Sequence, residues 1–470
     1  MEKYDVIVIG SGSGLRVSAA AAAQGKKVAV IEPGPMGGTC LNRGCIPSKM
    51  LIYASEVAQT IKDSAKYGID GEYKGVRFKD LTDRVSATVD EEAAGIEAGN
   101  SKNEHITLYK TTAKFTGPKT LKLLAPSGSS RAGSREVEGE TGEEIEGDTI
   151  VIAAGTRPFV PPIPGIDTVE VLTSDNALRL AELPKSMVIV GGGVIAAELA
   201  SFFGILGTEI TVVERAPALL GRVDAEIGAF VTEKFKAKFN VLLNRNTAKV
   251  EKTATGVKVT VADLEGKNEE TVEAEKLLVV AGRTSNTDLL DVAAAGIEID
   301  ERKFIKVDDH MRTNVDGIWA LGDIAGKWGL KHKANVEAEV VTRNAILGQD
   351  VAADYQGMPY AVFTVPQVAA VGHTEEELKT ANIPYKAGKY LYKSTGMGQA
   401  FMDEDSFVKV LVGEDDTILG AHIVGPEAST LIHEVALAMA GGLKAEIFRR
   451  LIVAHPALSE VVQRAFLRVQ

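Results

Sequence analysis

The sequence predicts an α/β protein with two Rossmann-like nucleotide-binding domains and a C-terminal α+β domain. Three observations predict this. A strand, a glycine turn, a helix and a second strand open the chain, and the same unit returns near its middle, roughly 180 residues on. From Tyr355 the pattern changes to short strands in succession, near Phe363 and over 388–393, 407–412 and 418–424. Two helices then close the chain, over 429–440 and 457–466. A length of 470 residues accommodates two or three domains of ordinary size.

In the first unit, Tyr4 to Ile9 has the Val/Ile content of a strand buried on both faces. Gly10-Ser11-Gly12-Ser13-Gly14 follows, then an Ala-rich helix from Leu15 to Gln24, ended by Gly25, and a strand from Val28 to Ile31 that closes on Glu32. Gly10 makes the tight turn, Gly12 lets backbone approach a diphosphate, and the helix N-terminus supplies N–H donors. Glu32 is placed for a ribose hydroxyl. Leu15 stands where the fingerprint usually has its third glycine, the position that packs helix on strand.

In the second unit, Met187 to Val190 is a strand, Gly191-Gly192-Gly193 turns into a helix reaching Leu206, and Ile210 to Val213 leads to Glu214. Two such units imply two dinucleotides. A carboxylate at Glu214 accepts from the 2′-hydroxyl of NAD and repels the 2′-phosphate of NADP, so NAD is expected over NADP, although Arg215 follows it and Ala196 replaces the third glycine.

The only two cysteines, Cys40 and Cys45, lie between these units with four residues separating them. A structural disulfide closing so small a loop gains little from the unfolded state. A zinc site needs about four ligands, and no His pair stands nearby, so no metal site is expected. A redox-active pair accounts for the spacing better than either. Ile46 to Tyr53 reads as a helix start, and cysteines before a helix N-terminus have a lowered thiol pKa.

The net charge of −12 argues against nucleic acid and against an anionic membrane surface. No apolar run is long enough for a bilayer, and the strand at Val6–Ile9 runs into glycines without a cleavage site. So few cysteines give a cytoplasmic expectation.

Gly37-Gly38-Thr39-Cys40-Leu41-Asn42-Arg43-Gly44-Cys45-Ile46-Pro47-Ser48-Lys49 resembles the signature of the class I pyridine nucleotide–disulfide oxidoreductases, which are FAD flavoproteins. The resemblance covers nearly the whole chain. Thr149 to Gly155 resembles the strand closing the family's first FAD segment, Val279 to Thr287 the close of its NAD domain, and Gly317 to Asp323 its second FAD motif, whose Asp binds the ribityl chain. The resemblance implies FAD at the first site, held by Gly10, Gly12, Gly14, Glu32, Gly38, Thr39, Lys49, Ala154, Gly155, Gly322 and Asp323. It implies NAD at the second, held by Gly191, Gly193, Glu198, Glu214 and Gly282. Cys45 would face the flavin and Cys40 would meet the substrate. Lys49 and Glu198 match the family's ion pair beside the flavin.

Ala454-His455-Pro456-Ala457-Leu458-Ser459-Glu460 offers an acid–base pair. Histidine titrates in the range that thiol–disulfide exchange needs, and a carboxylate can fix its tautomer. A His-Pro before a helix is otherwise a structural cap; the resemblance to the family's His-Pro…Ser-Glu pattern implies that His455 and Glu460 are catalytic. In the family this histidine reaches the cysteines of the other subunit, so the resemblance implies a homodimer and makes the last domain a dimerisation domain. His433-Glu434, the local rival, reads as a core or interface position.

The expected organisation is an FAD domain over 1–155 and 285–354, an NAD(P) domain over 156–284, and an interface domain over 355–470, with a solvated hairpin or loop at 125–148. Ser48 and Glu214 speak against the glutathione reductase branch, and no further cysteine pair of the mercuric or large thioredoxin reductase kind is present. Cys45 to Lys49 and Leu431 to Glu434 resemble dihydrolipoamide dehydrogenases, which serve lipoyl domains of 2-oxo acid dehydrogenase complexes. Ser11 to Gly14, Met50 to Glu56 and Leu330 to Asn335 resemble mycothione reductase. The leading expectation is dihydrolipoyl dehydrogenase. The alternatives are an NAD(P)H-dependent reductase of a small disulfide (mycothione, bis-γ-glutamylcystine or glutathione type) and a non-catalytic flavoprotein subunit. Arg43, between the cysteines, either attracts an anionic disulfide or is a solvated loop residue.

Overall fold

Val and Ile dominate β1 (Glu2–Ile9) and β2 (Val28–Ile31), and from Val6 onward their apolar side chains are buried, as strands covered on both faces require. The computed structural model describes residues 1–124 and 140–470. After α1 (Leu15–Ala23) and β2 come α2 (Gly38–Arg43), α3 (Cys45–Lys62), α4 (Phe78–Ser101), β3 (Ile106–Tyr109), β4 (Ala113–Gly117), β5 (Thr120–Leu124) and β6 (Glu140–Ile152). The sheet order is β3-β2-β1-β6-β5-β4. β1, β2, β3 and β6 run parallel, and β5 returns antiparallel to β6. Residues 125–139 of the expected insertion lie outside the described residues; 140–148 are part of β6.

The second sheet is formed by β8 (Val171–Leu172), β9 (Ser186–Val190), β10 (Glu209–Glu214), β11 (Asn240–Leu243) and β15 (Lys276–Val279), all parallel, in the order β11-β10-β9-β15-β8. α5 (Val194–Leu206) links β9 to β10, and α6 (Ala225–Lys236) links β10 to β11. An antiparallel meander, β12 (Arg245–Lys252), β13 (Val257–Asp263) and β14 (Glu270–Ala274), interrupts the parallel pattern before β15. β7 (Thr156–Pro158) pairs antiparallel with β16 (Arg283–Ser285), joining the two ends of this part of the chain. Beyond α7 (Thr287–Leu290), β17 (Ile318–Ala320) adds parallel to β6, with Ala320 opposite Ile152. That pairing brings Gly322–Asp323 and Ala154–Gly155 to the same ends of neighbouring strands. α8 (Lys331–Val341) follows.

The C-terminal sheet is antiparallel, ordered β18-β19-β22-β21-β20: β18 (Pro359–Val362), β19 (Val368–Gly372), β20 (Lys386–Leu391), β21 (Phe407–Val412) and β22 (Ile418–Val424). β21 and β22 match their expected spans. Short helices α9 (Glu375–Thr380) and α10 (Gly396–Ala400) interrupt the strands. Three helices close the chain rather than the expected two: α11 (Ala428–Ala440), α12 (Glu446–Arg450) and α13 (Ser459–Phe466). One apolar cluster joins the three parts: Leu51 and Ile52 of α3, Phe78 of α4, Phe202 and Phe203 of α5, Val362, Val368 and Phe407. The rings of Phe202 and Phe203 meet edge-on at 4.8 Å, with Phe78 about 6 Å from each. This packing holds α3 against α5, which positions the redox helix.

Candidate active site

Two glycines make the thiol loop possible. Gly37 and Gly38 have φ of 100° and 66°, in the left-handed region that side chains rarely adopt. A Cβ on Gly38 would stand 2.8 Å from the Cα of Gly12, so the thiol loop rests directly on the first nucleotide loop. Asn42 is buried and donates to the carbonyls of Met36 and Gly38, tying the turn together. Cys40 lies within α2, and Cys45 is the first residue of α3, one position earlier than the expected helix start. Both are free thiols in this structure.

The two thiols are electrostatically unequal. The hydrogen bond from Cys40, with the Lys49 ammonium adding to it, lowers the Cys45 thiol to about 6. The same hydrogen bond, together with burial, pushes Cys40 up. Cys45 is therefore the resident thiolate near neutral pH, and Cys40 the protonated partner.

Lys49, one turn into α3, meets Glu198 of α5 at 2.7 Å. The carboxylate is 7% exposed, and its second oxygen accepts from the backbone N–H of Phe363 at 2.9 Å. The Phe363 ring lies 4.8 Å from the Lys49 ammonium. The pair thus locks together α3, α5 and the loop after β18. Phe363 had no sequence signal for this role, because its contribution is a backbone N–H and a ring face.

The glycines of the first loop divide by role. A Cβ on Gly10 would meet the Ala153 carbonyl oxygen at 2.4 Å, whereas Gly12 has nothing within 4 Å and leaves room for a ligand. The close helix–strand contact falls on Gly14, whose Cβ would sit 2.9 Å from Val8, and not on the Leu15 position as expected. Glu32 accepts from the Ser11 N–H and hydroxyl and from the Gly34 N–H, which holds its carboxylate at the loop. Gly155 is open, Gly322 donates its N–H to Glu337, and Asp323 lies 3.4 Å from the Thr156 hydroxyl. Thr39 is exposed beside Cys40. An open glycine between two tightly packed ones, an acid at the strand end and Asp323 beside them suit a flavin dinucleotide.

At the second loop a Cβ on Gly191 would stand 2.7 Å from the Val280 carbonyl oxygen, while Gly193 and Gly282 are open. Ala196 is 1% exposed and fills the packing position. Glu214 ends β10 with its carboxylate against Gly192 and bonded to the Ala216 N–H at 2.7 Å.

His455 Nδ1 and Glu460 Oε1 are 3.1 Å apart, as the spacing predicted. Glu460 is buried and its carboxyl is lowered by the bond to His455, whereas the His455 side chain is 78% exposed. His433 is exposed on α11 and bonds only its own helix, at the Ser429 carbonyl; Glu434 beside it is partly buried and accepts from Ser459. Arg43 is not the solvated loop residue of one expectation. Its side chain is 28% exposed and faces Asp175 at 3.5 Å, so its charge is engaged. Sequence reasoning also missed a buried ion pair, Lys333–Glu337 at 3.0 Å, which braces the segment from Gly322 to Gly326 through the carbonyls of those two glycines; its i,i+4 spacing was the available signal. Among the described residues no cluster of His, Cys, Asp and Glu suits a metal, and no helix is long and apolar enough to cross a membrane.

Residues 4–338 match the family profile described as pyridine nucleotide-disulphide oxidoreductase, and residues 358–466 match that family's dimerisation domain. Mycothione reductase from Mycobacterium tuberculosis is 38% identical over 99% of both chains. Dihydrolipoyl dehydrogenase from Staphylococcus aureus is 36% identical over 98% of this chain and 95% of that one. Among solved structures, the HOCl-induced flavoprotein disulfide reductase RclA from Escherichia coli superposes with a TM-score of 0.84 at 27% identity, covering 99% of this chain and all of RclA.

Proposed function

The chain belongs to the pyridine nucleotide–disulphide oxidoreductases, flavoproteins that bind FAD and a pyridine nucleotide, and on that premise we propose that it is a dihydrolipoyl dehydrogenase working with NAD. The observation that carries the redox reading is the unequal thiol pair: a lowered Cys45 beside Lys49 and a raised Cys40 on the adjoining turn. A substrate thiolate attacks Cys40 of the oxidised Cys40–Cys45 disulfide, and Cys45 departs as a thiolate that Lys49 stabilises. The second substrate thiol then displaces Cys40, leaving a lipoyl disulfide and an enzyme dithiol. His455, its tautomer set by Glu460, takes the proton released from the substrate thiol. Bound FAD supplies the two-electron link between the thiol pair and the nicotinamide. Glu198 holds Lys49 at the junction of the two nucleotide sites, and Glu214 supports NAD over NADP through the negative charge of its carboxylate at the end of β10, which the Ala216 N–H holds in place.

A second reading, an NAD(P)H-dependent reductase of a low-molecular-weight disulfide, is favoured by the end-to-end similarity to mycothione reductase. Purified holoenzyme assayed with NADH and NADPH against lipoamide and a panel of small disulfides separates them. Turnover of lipoamide with NADH is expected. No lipoamide turnover alongside reduction of a mixed or symmetrical small disulfide would replace the first reading by the second. A bound flavin with no disulfide turnover would leave a non-catalytic subunit.

A further inference from the structure

One cation near the first nucleotide loop has no counter-charge. The Lys331 ammonium, half-buried at the start of α8, donates to the Ser13 hydroxyl at 2.8 Å, across 318 residues of sequence. That hydroxyl in turn donates to the Asn335 side chain at 2.9 Å. Among the described residues no carboxylate lies within ion-pair distance of Lys331. Other cations of this domain differ in this respect: Arg16 pairs with Glu339 at 2.6 Å, Arg43 faces Asp175, Lys110 pairs with Glu97, and Lys333 with Glu337. A half-buried ammonium held by a neutral hydroxyl keeps its charge for an anion that can reach it.

The position identifies that anion. Ser13 lies between Gly12, which is open to a ligand, and Gly14, which packs on the sheet. It is the side chain at the mouth of the glycine turn, beside the N-terminus of α1, whose first turn holds no acid. The glycine turn to which Lys331 donates touches the redox loop at Gly12 and Gly38, and the Lys331 charge acts on the Cys40 thiol there. A helix N-terminus offers only about half a unit of positive charge. A dinucleotide's diphosphate carries two negative charges.

We infer that Lys331, with Ser13 and Asn335 holding it, binds the diphosphate of FAD and ties α8 to the first glycine loop. This assignment does not depend on which disulfide the enzyme uses. It adds a residue to the cofactor site that the glycine fingerprint does not contain.

The test is FAD affinity. Apoprotein prepared from the holoenzyme is titrated with FAD, following flavin fluorescence, at low and high salt. Lys331→Met should weaken FAD binding about 10- to 100-fold and flatten its salt dependence, because one charge-assisted contact is lost. Lys331→Arg should recover much of the affinity, and Ser13→Ala, which keeps the cation, should weaken binding less than Lys331→Met. Far-UV circular dichroism of each apoprotein identifies a variant that has not folded, in which case the Arg and Ala variants decide. Wild-type FAD affinity and salt dependence in Lys331→Met would overturn the assignment. So would unchanged FAD affinity with a raised KM for acidic disulfides, which would make Lys331 a substrate contact instead.

Discussion

At the scale of single residues, the chemistry rests on the difference between two thiols five positions apart. Cys45 is lowered first by the Cys40 hydrogen bond and then by the Lys49 charge, while the Glu198 charge opposes both. These contributions have opposite signs and are separable. In a Cys40→Ser background, which keeps a hydroxyl donor and leaves one thiol, alkylation of Cys45 should rise with pH through a midpoint near 6, since only the thiolate reacts. Adding Lys49→Met should move the midpoint up by about one pH unit, and adding Glu198→Gln should move it down. A midpoint insensitive to Lys49 would show that the ammonium does not set the thiolate. This inequality was only partly legible. The spacing and the helix start pointed to a reactive pair, but Cys40's own place in a helix, between left-handed glycines and Gly44, depends on the packing of Gly38 on Gly12, two loops far apart in sequence. The same limit explains Arg43: the loop alone left it free, and only the fold brings it to Asp175.

At the scale of elements, strands with dense Val and Ile were readable and strands without them were not. β1, β2, β9, β10, β21 and β22 declared themselves by composition. β12 and β14 carry several charged residues and bury little, so they lack that signal although β13 between them buries alternating valines, Val257, Val259 and Val261, and β19 sets two small alanines between its two valines. How elements of different sheets join was also hidden. Asp224, fully buried, accepts from the Glu226 N–H at the start of α6 and bonds Lys409 of β21, which also meets Glu375 of α9. Three elements from two sheets are thus pinned by one lysine. Lys409→Met leaves Asp224 buried without its partner and should cost roughly 3–5 kcal/mol, read as a clear fall in Tm, with Asp224→Asn in the same chain restoring part of it. The linkage sign is defined by Glu375, whose carboxyl Lys409 and Tyr385 hold down at about 2. A carboxyl lowered on folding stabilises the protein above its unfolded pKa and loses that contribution as pH falls toward the folded value. The Tm gap between wild type and Lys409→Met should therefore be full at neutral pH and shrink from about pH 4.5 downward. A gap constant across that range would place the loss in packing instead of charge.

At the scale of the whole molecule, the first glycine loop and the thiol loop meet within one chain, at Gly12 and Gly38, whereas the imidazole of the acid–base pair is largely exposed. The three-part plan was legible because each part has its own periodicity: parallel strands with glycine turns twice, then an antiparallel sheet. What a single chain cannot display is the destination of His455. Its side chain is 78% exposed although Glu460 behind it is buried, an unusual investment for a residue with no target. Nearby, Leu437 is 75% exposed, Leu443 47% and Leu451 39%, lining an apolar hollow of about 310 Å³ with Glu434 and Ser459, and Ile452 is 96% exposed. An apolar patch of this kind marks a contact surface, and it lies in the segment that matches the family's dimerisation domain. The prediction is that a two-fold dimer covering the patch brings His455 to the cysteines of the other subunit. The functional consequence is complementation. Cys40→Ser and His455→Gln homodimers should each be nearly inactive with the disulfide substrate. Co-expressed with different tags, the mixed dimers hold one subunit with intact cysteines facing one with an intact histidine. That single site should restore roughly half of wild-type turnover per mixed dimer, since one of two symmetry-related sites is whole. If His455 served the cysteines of its own chain, each site in the mixed dimer would lack one group, and purified mixed dimers would be as inactive as the parents.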